Sequence, residues 1–188
     1  VMTFKTGVKK DGSITARQAH LVYDSGGYAA FKPQRGVTYG SRCLGPYKIP
    51  HGHIDSFVVY TNQVPCGSMR APGDPQSIFA AEVQMDLIAK ELGIDPVEFR
   101  RMNLVQDGDV SPMGHQWQNV MGLRTLEAAV KEAGYQNAKP QTRGKLTGRG
   151  MALCERHVGA GSSTCRISID SDGIVTLYTA LPDTGSGF

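Results

Sequence analysis

The middle of the chain has the most regular hydrophobic pattern. After residue 74, apolar side chains recur at spacings of three and four, which predicts a helix with one face on a core. These positions are Ile78, Ala81, Met85, Ile88 and Leu92. Gly93 is expected to end this helix, and Asp74 is predicted to cap its start, with Pro75 in the first helical position.

Two shorter helices are predicted downstream. Asp95 followed by Pro96 repeats the arrangement of a capping residue and a proline, which indicates a helix that runs to about Met102. A second apolar stripe predicts a helix between Leu123 and Ala133.

Both ends of the chain are predicted to form β-structure. Near the start, two strand-like runs flank Asp11-Gly12, and in the last segment two more flank Asp172-Gly173; both dipeptides are strong signals for a hairpin turn. The predicted strands are 3–9, 14–23, 54–61, 150–157, 165–170 and 174–179. Helices and antiparallel strands in separate parts of the sequence indicate the α+β class.

Composition and charge exclude several kinds of partner. The 188 residues are 40% hydrophobic and 20% charged, as in an ordinary globular protein. A net charge of +3 is too small to indicate a nucleic acid or a membrane surface, and no apolar run reaches the ~20 residues of a membrane span. The four cysteines lack zinc-like spacing, so buried, reduced thiols in a cytoplasmic protein are expected.

The loop before the first predicted helix holds the most suggestive chemistry. Arg70 lies in a glycine-bearing segment that leads into a helix N-terminus, where backbone N–H groups and the helix dipole favour an anion. Alternatively, Arg70 pairs with a nearby carboxylate and the loop is only a connection. The residue pattern by itself leaves both interpretations open.

Other polar residues have plainer interpretations. Arg42 is predicted to be a solvated group or an ion-pair partner, and Asp86 to form an exposed pair with Lys90. His51 and His53 share one face of a predicted strand and could begin a metal site, but no third ligand follows at a recognisable spacing.

Several runs of residues resemble one enzyme family. They are Asp24-Ser25-Gly26-Gly27-Tyr28, Met69-Arg70-Ala71-Pro72-Gly73-Asp74-Pro75-Gln76, Phe79-Ala80-Ala81-Glu82, Phe99-Arg100-Arg101-Met102-Asn103-Leu104 and Asp183-Thr184-Gly185-Ser186-Gly187. They are similar, in order and spacing, to the large molybdenum-cofactor subunit of the xanthine dehydrogenase, aldehyde oxidase and carbon monoxide dehydrogenase family. The resemblance favours the anion-binding interpretation of Arg70.

The resemblance implies a division of the chain. The expected parts are the end of a first molybdopterin-binding domain at 1–135, a polar linker at 136–147, and the β-structured start of a second such domain at 148–188. The chain is accordingly expected to be an internal fragment of a longer polypeptide.

The resemblance also implies roles for particular residues. Those expected to contact the cofactor are Arg70, Ala71, Gly73, Gly185, Ser186 and Gly187. Glu155 is either a substrate-facing residue or an exposed strand residue, and Glu82 is expected to brace the loop that carries Arg70. The general-base glutamate of the family lies outside this sequence, so no catalytic residue and no metal ligand is assigned.

The implied function is that of a molybdenum-dependent hydroxylase or dehydrogenase. It would oxidise an aldehyde, an N-heterocycle or a similar small molecule with water as the oxygen source. The cofactor would be molybdenum-molybdopterin, with a cytosine dinucleotide form as one option, and partner subunits or domains would carry iron–sulfur clusters and FAD. Pro72 and Ser186 depart from the family pattern, which leaves open a non-catalytic scaffold descended from the family. A simple phosphate-binding module that uses Arg70 is a third interpretation.

Overall fold

The computed structural model describes residues 1–28, 38–67, 71, 73–135, 146–155 and 162–180. By its internal contacts the chain divides into two units, Val1–Glu155 and Arg156–Phe188. The assignment of the chain to parts of two molybdopterin-binding domains stays a prediction, and most of the predicted linker lies outside the described residues.

The first unit contains a three-stranded sheet in the order β1-β2-β3. Strand β1 (Met2–Val8) and strand β2 (Ile14–Gly26) form the predicted antiparallel hairpin, with Gly12 in its turn at φ 89°. Strand β3 (His51–Tyr60) pairs with β2 in parallel, and the connection between them includes a 3-10 helix at Thr38–Leu44. The hairpin prediction is therefore confirmed.

The described residues of the first unit next form the α-helices α1 (Asp74–Leu92), α2 (Pro96–Asn103) and α3 (Gly122–Glu132). Gly93 ends α1 in the left-handed conformation at φ 67°, and the Asp95 carboxylate accepts hydrogen bonds from the first N–H groups of α2. Both of these caps were predicted from the sequence, because their signals lie within a few residues of the helix ends.

The start of α1 differs from the prediction. Gly73 is the N-cap at φ 81°, and Asp74 is the first helical residue, with no side-chain hydrogen bond to the helix end. The Asp74 carboxylate instead lies 3.7 Å from Nε of Arg42. The predicted Asp74 cap is wrong because a distant arginine competes for the side chain.

Helix α1 packs against the 3-10 helix and β1, and long side chains on the buried face of β2 also reach it. Nη2 of Arg17 on β2 contacts Sδ of Met85 at 3.2 Å, and Thr6 Oγ1 on β1 donates to Gln84 Oε1 at 2.7 Å. Of the predicted apolar stripe of α1, Ala81 and Met85 are fully buried, and the other three positions are partly buried. The core extends from this contact to α2 and α3 through Phe99 and Leu126.

Residues 146–155 pack against the rest of the first unit without regular secondary structure. Met151 and Leu153 contact the core, while Arg100 donates to Met151 O and Leu153 N donates to Glu82 Oε2. The predicted strand at 150–157 is therefore wrong over 150–155, because side chains rather than a neighbouring strand satisfy these backbone groups.

Asn103 joins the hairpin to the helices. Its Oδ1 accepts a hydrogen bond from Ile14 N at 3.0 Å, and its Nδ2 donates to the carbonyls of Gly12 and Phe99, both at 2.9 Å. The side chain is 4% exposed, so these partners have little access to water.

The second unit contains an antiparallel hairpin of β4 (Cys165–Ile169) and β5 (Val175–Thr179), with Gly173 in the turn at φ 80°. This hairpin was predicted, and the mixture of helices and antiparallel strands confirms the α+β class. No helix in the described part of the chain is long and apolar enough to span a membrane.

The cysteines differ in environment. Cys43 is buried, and burial raises the pKa of its thiol to about 11, so it stays protonated. Cys154 and Cys165 are exposed free thiols, which contradicts the expectation of burial for these two.

Candidate functional site

The turn that leads into α1 has an unusual backbone. Ala71 has φ 57° and Gly73 has φ 81°, so two left-handed residues precede the helix. Asp74 N donates to Ala71 O at 3.1 Å, which closes the turn. A non-glycine residue at positive φ costs about 1–2 kcal/mol, and such strain occurs most often at functional sites.

We expect Ala71→Gly to raise the free energy of unfolding by about 0.5–1 kcal/mol, because relief of left-handed strain exceeds the added entropy of glycine in the unfolded chain. Ala80→Gly within α1 is the matched control and should lower stability by about 0.5–1 kcal/mol. Urea denaturation of both variants tests the opposite signs. Destabilisation by Ala71→Gly would show that the residue is not strained.

An ion-pair cluster lies at the same end of α1. Arg42 Nη1 contacts Glu155 Oε1 at 2.5 Å, and Arg42 Nε lies 3.7 Å from Asp74 Oδ1. The Arg42 side chain is only 14% exposed, so water screens these pairs weakly. Arg42 is thus an ion-pair partner, one of its two predicted roles. Glu155 is neither exposed nor on a strand, which removes one of its two interpretations.

A buried polar network holds the rest of α1 in place. Glu82 accepts hydrogen bonds from Tyr47 Oη at 2.7 Å, Arg100 Nε at 3.0 Å and Leu153 N at 2.8 Å. Arg100 also donates to Asp86 Oδ1 at 2.7 Å and to the carbonyl of Met151 at 3.3 Å. One carboxylate and one guanidinium therefore connect the 3-10 helix region, α1, α2 and the segment 146–155.

The charges of this network reinforce one another. Burial lowers the pKa of Arg100, but Glu82, Tyr47 and Asp86 outweigh it and raise the pKa overall. Burial, together with the adjacent Glu82, raises the pKa of Tyr47 well above its ordinary value. Arg100 therefore remains a cation and Tyr47 a neutral hydrogen-bond donor.

Two predictions about this helix face need revision. Asp86 pairs with Arg100 across to α2 instead of with Lys90 on its own helix. Glu82 binds Tyr47, Arg100 and Leu153 among the described residues, and its expected contact with the loop of Arg70 falls outside them.

Among the described residues, three buried hydroxyl groups belong to the first turn of α1 and to the end of β2. Ser77 Oγ donates to Gly73 O at 3.0 Å and contacts Asp74 O at 3.2 Å. Burial raises the pKa of the Tyr23 phenol, with smaller effects from the neighbouring Ser77 and Asp74. Ser25 is 1% exposed, and its Oγ has no hydrogen-bond partner in the part of the chain that the structure describes.

The remaining candidates are simpler. His53 pairs with Asp55 at 3.2 Å on the exposed face of β3, where His51 also lies. Among the described residues, no group of three or more His, Cys, Asp or Glu side chains could hold a metal ion. Of the predicted cofactor contacts, Ala71 and Gly73 are described, whereas Arg70, Gly185, Ser186 and Gly187 lie outside the described residues, as does Pro72.

Residues 1–104, which include this turn, α1 and α2, match the family model of the molybdopterin cofactor-binding domain. The chain belongs to this family. The resemblance found in the sequence is therefore confirmed over the segment that contains the left-handed turn and most of the buried network.

The named relatives of the chain include a dehydrogenase subunit and an aldehyde oxidoreductase. It is 36% identical over 143 residues to the nicotinate dehydrogenase large molybdopterin subunit of Eubacterium barkeri, covering 73% of this chain and 34% of that protein. It is 31% identical to the aldehyde oxidoreductase of Megalodesulfovibrio gigas, covering 99% of this chain and 21% of the relative. The solved structure of the aldehyde oxidoreductase from Desulfovibrio gigas superposes with a TM-score of 0.71 at 25% identity, covering 98% of this chain and 21% of that structure. The chain thus spans about a third or less of the length of these relatives.

Sequence reasoning missed two features of the site. The partner of Arg42, Glu155, is 113 residues away, so no local spacing indicates the pair. For Ser25, a signal existed: strand alternation places it on the same face as Tyr23 and the buried Leu21.

Proposed function

We propose that the chain is part of a molybdopterin-dependent oxidoreductase that hydroxylates or dehydrogenates an aldehyde, an N-heterocycle or a similar small carbon centre with water as the oxygen source. The single observation that carries the proposal is family membership over the residues that contain the strained turn before α1.

The turn is compatible with a bound cofactor. Two left-handed residues, Ala71 and Gly73, allow the backbone to come close to a ligand, and Arg70 beside them would supply a positive charge to its anionic group. Gly185, Ser186 and Gly187 are proposed as further contacts of the cofactor. The molybdenum and its pterin would supply the redox chemistry, while these residues bind and orient the group.

Glu155 is proposed to face the substrate. Its position beside Arg42, at the same end of α1 as Gly73, supports this role. Because Arg42 balances its charge, Glu155 would orient a neutral polar substrate by hydrogen bonding rather than attract a cation.

The working protein is proposed to be larger than this chain. The chain covers only 34% and 21% of two relatives, which supports a parent polypeptide in which 1–135 and 148–188 belong to two molybdopterin-binding domains and the general base lies elsewhere. A relative named as one subunit of a dehydrogenase complex supports partner subunits. We propose that these subunits carry iron–sulfur clusters and FAD. The molybdopterin is proposed to be bound either in its simple form or as the cytosine dinucleotide. The assembly is proposed to be cytoplasmic.

A second candidate function is a non-catalytic scaffold that has lost the cofactor. Pro72 and Ser186, which replace an aromatic residue and a glutamine of the family pattern, favour it. A serine hydroxyl can still donate and accept a hydrogen bond, but it reaches less far than glutamine.

Elemental and pterin analysis of the full-length protein, purified with its natural partner subunits, tests these alternatives. We expect near-stoichiometric molybdenum in the wild type and cofactor binding about 10- to 100-fold weaker in Arg70→Ala, because a charge-assisted contact is lost. Arg124→Ala, at an exposed position of α3, is the control and should retain the cofactor. A well-folded assembly without molybdenum, from cells with intact cofactor synthesis, would favour the scaffold.

A further inference from the structure

Ser25 near the end of β2 has a buried hydroxyl with no hydrogen-bond partner among the described residues. The residue is 1% exposed, so bulk water does not satisfy the group. Native structures satisfy the large majority of buried hydroxyls, because an unsatisfied one keeps its full desolvation penalty. A buried hydroxyl that binds a ligand lacks its hydrogen-bond partner when the ligand is not bound, which is a physical reason for an exception.

The position of Ser25 follows from how β2 and α1 pack. Arg17 on β2 contacts Met85 in the middle of α1, and Tyr23, further along the same face of β2, lies beside Ser77 in the first helical turn. Residues later in β2 therefore lie beside residues earlier in α1. Ser25 follows Tyr23 by two residues, or about 7 Å of strand, on the same face.

That displacement brings Ser25 level with the turn that precedes the helix. Its own backbone supports this position, since Ser25 O accepts a hydrogen bond from Cys66 N in the segment that leads to the turn. The strained Ala71 and the N-cap Gly73 belong to this turn. An orphaned hydroxyl and a left-handed turn thus occur at the same end of α1.

A comparison with Ser77 shows that burial alone does not leave a serine unsatisfied here. Ser77 is 0% exposed, yet its Oγ donates to the carbonyl of Gly73. Ser25 lies in β2 at the point where the pairing with β3 becomes irregular, between Asp24 and Gly26, and its Oγ has no comparable partner among the described residues.

We propose that Ser25 is a further cofactor-binding residue, whose Oγ–H donates a hydrogen bond to an acceptor atom of the anionic cofactor held at the turn before α1. This inference rests on the proposed function. An acceptor atom of the cofactor would form the hydrogen bond that the buried hydroxyl lacks. Ser25 would therefore lower the stability of the cofactor-free protein and raise that of the cofactor-loaded protein.

The test compares Ser25→Ala in cofactor-free and cofactor-loaded full-length protein, purified with its partner subunits. Without the cofactor, the variant should melt at the wild-type temperature or higher, because a buried unsatisfied hydroxyl has been removed. With the cofactor, we expect about 2- to 10-fold weaker retention, measured as molybdenum and as pterin released on denaturation. Ser25→Cys, with similar shape and a weak S–H donor, should give an intermediate value.

Ser77→Ala is the matched control, since it removes an equally buried but satisfied hydroxyl. It should lower the melting temperature of both forms by similar amounts. The inference is overturned if Ser25→Ala behaves like this control, or if it retains the cofactor as well as a molybdenum-loaded wild type. A wild type that binds no molybdenum would instead refute the proposed function, and this inference with it.

Discussion

Arg100→Met is expected to lower the free energy of unfolding of this chain by about 3–5 kcal/mol, because it leaves the buried Glu82 carboxylate without its cation. The Arg100 side chain is 0% exposed, and Glu82 is 5% exposed. Water therefore cannot replace the lost partner. The carbonyl of Met151 loses a donor as well. Urea denaturation followed by far-UV circular dichroism measures the loss.

Two variants make this result specific. Arg101→Met removes the neighbouring arginine, whose partners Glu98 and Glu127 lie at the surface, and should cost less than about 1 kcal/mol. Adding Glu82→Gln to Arg100→Met should recover part of the stability, because the uncharged amide can accept a hydrogen bond from Leu153 N through its oxygen and donate one to Tyr47 Oη through its nitrogen. Equal effects of Arg100→Met and Arg101→Met would contradict the role of burial.

The segment 146–155 should respond to the same variant. Arg100 and Glu82 bind the backbone at Met151 and Leu153, so Arg100→Met is expected to speed amide exchange at Leu153. This segment carries Glu155 to the start of α1. The network is therefore expected to stabilise the candidate site through this segment.

Asn103→Leu is the second large prediction, with an expected loss of about 2–4 kcal/mol, because it leaves a buried N–H and buried carbonyls without partners. The amide of Asn103 serves Ile14 N, Gly12 O and Phe99 O. Leucine has a similar volume, so the loss would report hydrogen bonding rather than a cavity.

Amide exchange distinguishes this mechanism from general destabilisation. Ile14 N–H should exchange much faster in Asn103→Leu, while Val97 N–H, bound to the Asp95 cap, should change only through the global equilibrium. Uniform acceleration at both amides would mean that Asn103 contributes no local protection.

Some elements could be predicted because their determinants are local. Gly93 ends α1 since glycine adopts the left-handed conformation without a Cβ clash, and Asp95 caps α2 with an oxygen that reaches N–H groups two and three residues ahead. The hairpin turns at Gly12 and Gly173 form because glycine adopts the positive φ that each turn requires. Motif order likewise identified the family.

The sequence predictions were wrong where a side chain can interact either with a residue close in the sequence or with a distant one. Asp74 could cap its own helix, and Asp86 could pair one turn along the helix with Lys90, yet each binds an arginine from another element. An arginine that is fully or mostly buried, such as Arg100 or Arg42, interacts more strongly with a carboxylate than an exposed lysine does, because less water screens its charge.

The sequence by itself thus determined the described helices, the caps at Gly93 and Asp95 and the two hairpins, since short-range sterics and hydrogen bonds specify them, and its motifs identified the molybdopterin-binding family. Only the tertiary structure decided which charged side chains form ion pairs. Arg42 pairs with Glu155, which is 113 residues away in the sequence, and Arg100 on α2 pairs with Glu82 on α1. It also decided that the Ser25 hydroxyl is buried without a hydrogen-bond partner among the described residues, since burial depends on which face of β2 the rest of the first unit covers.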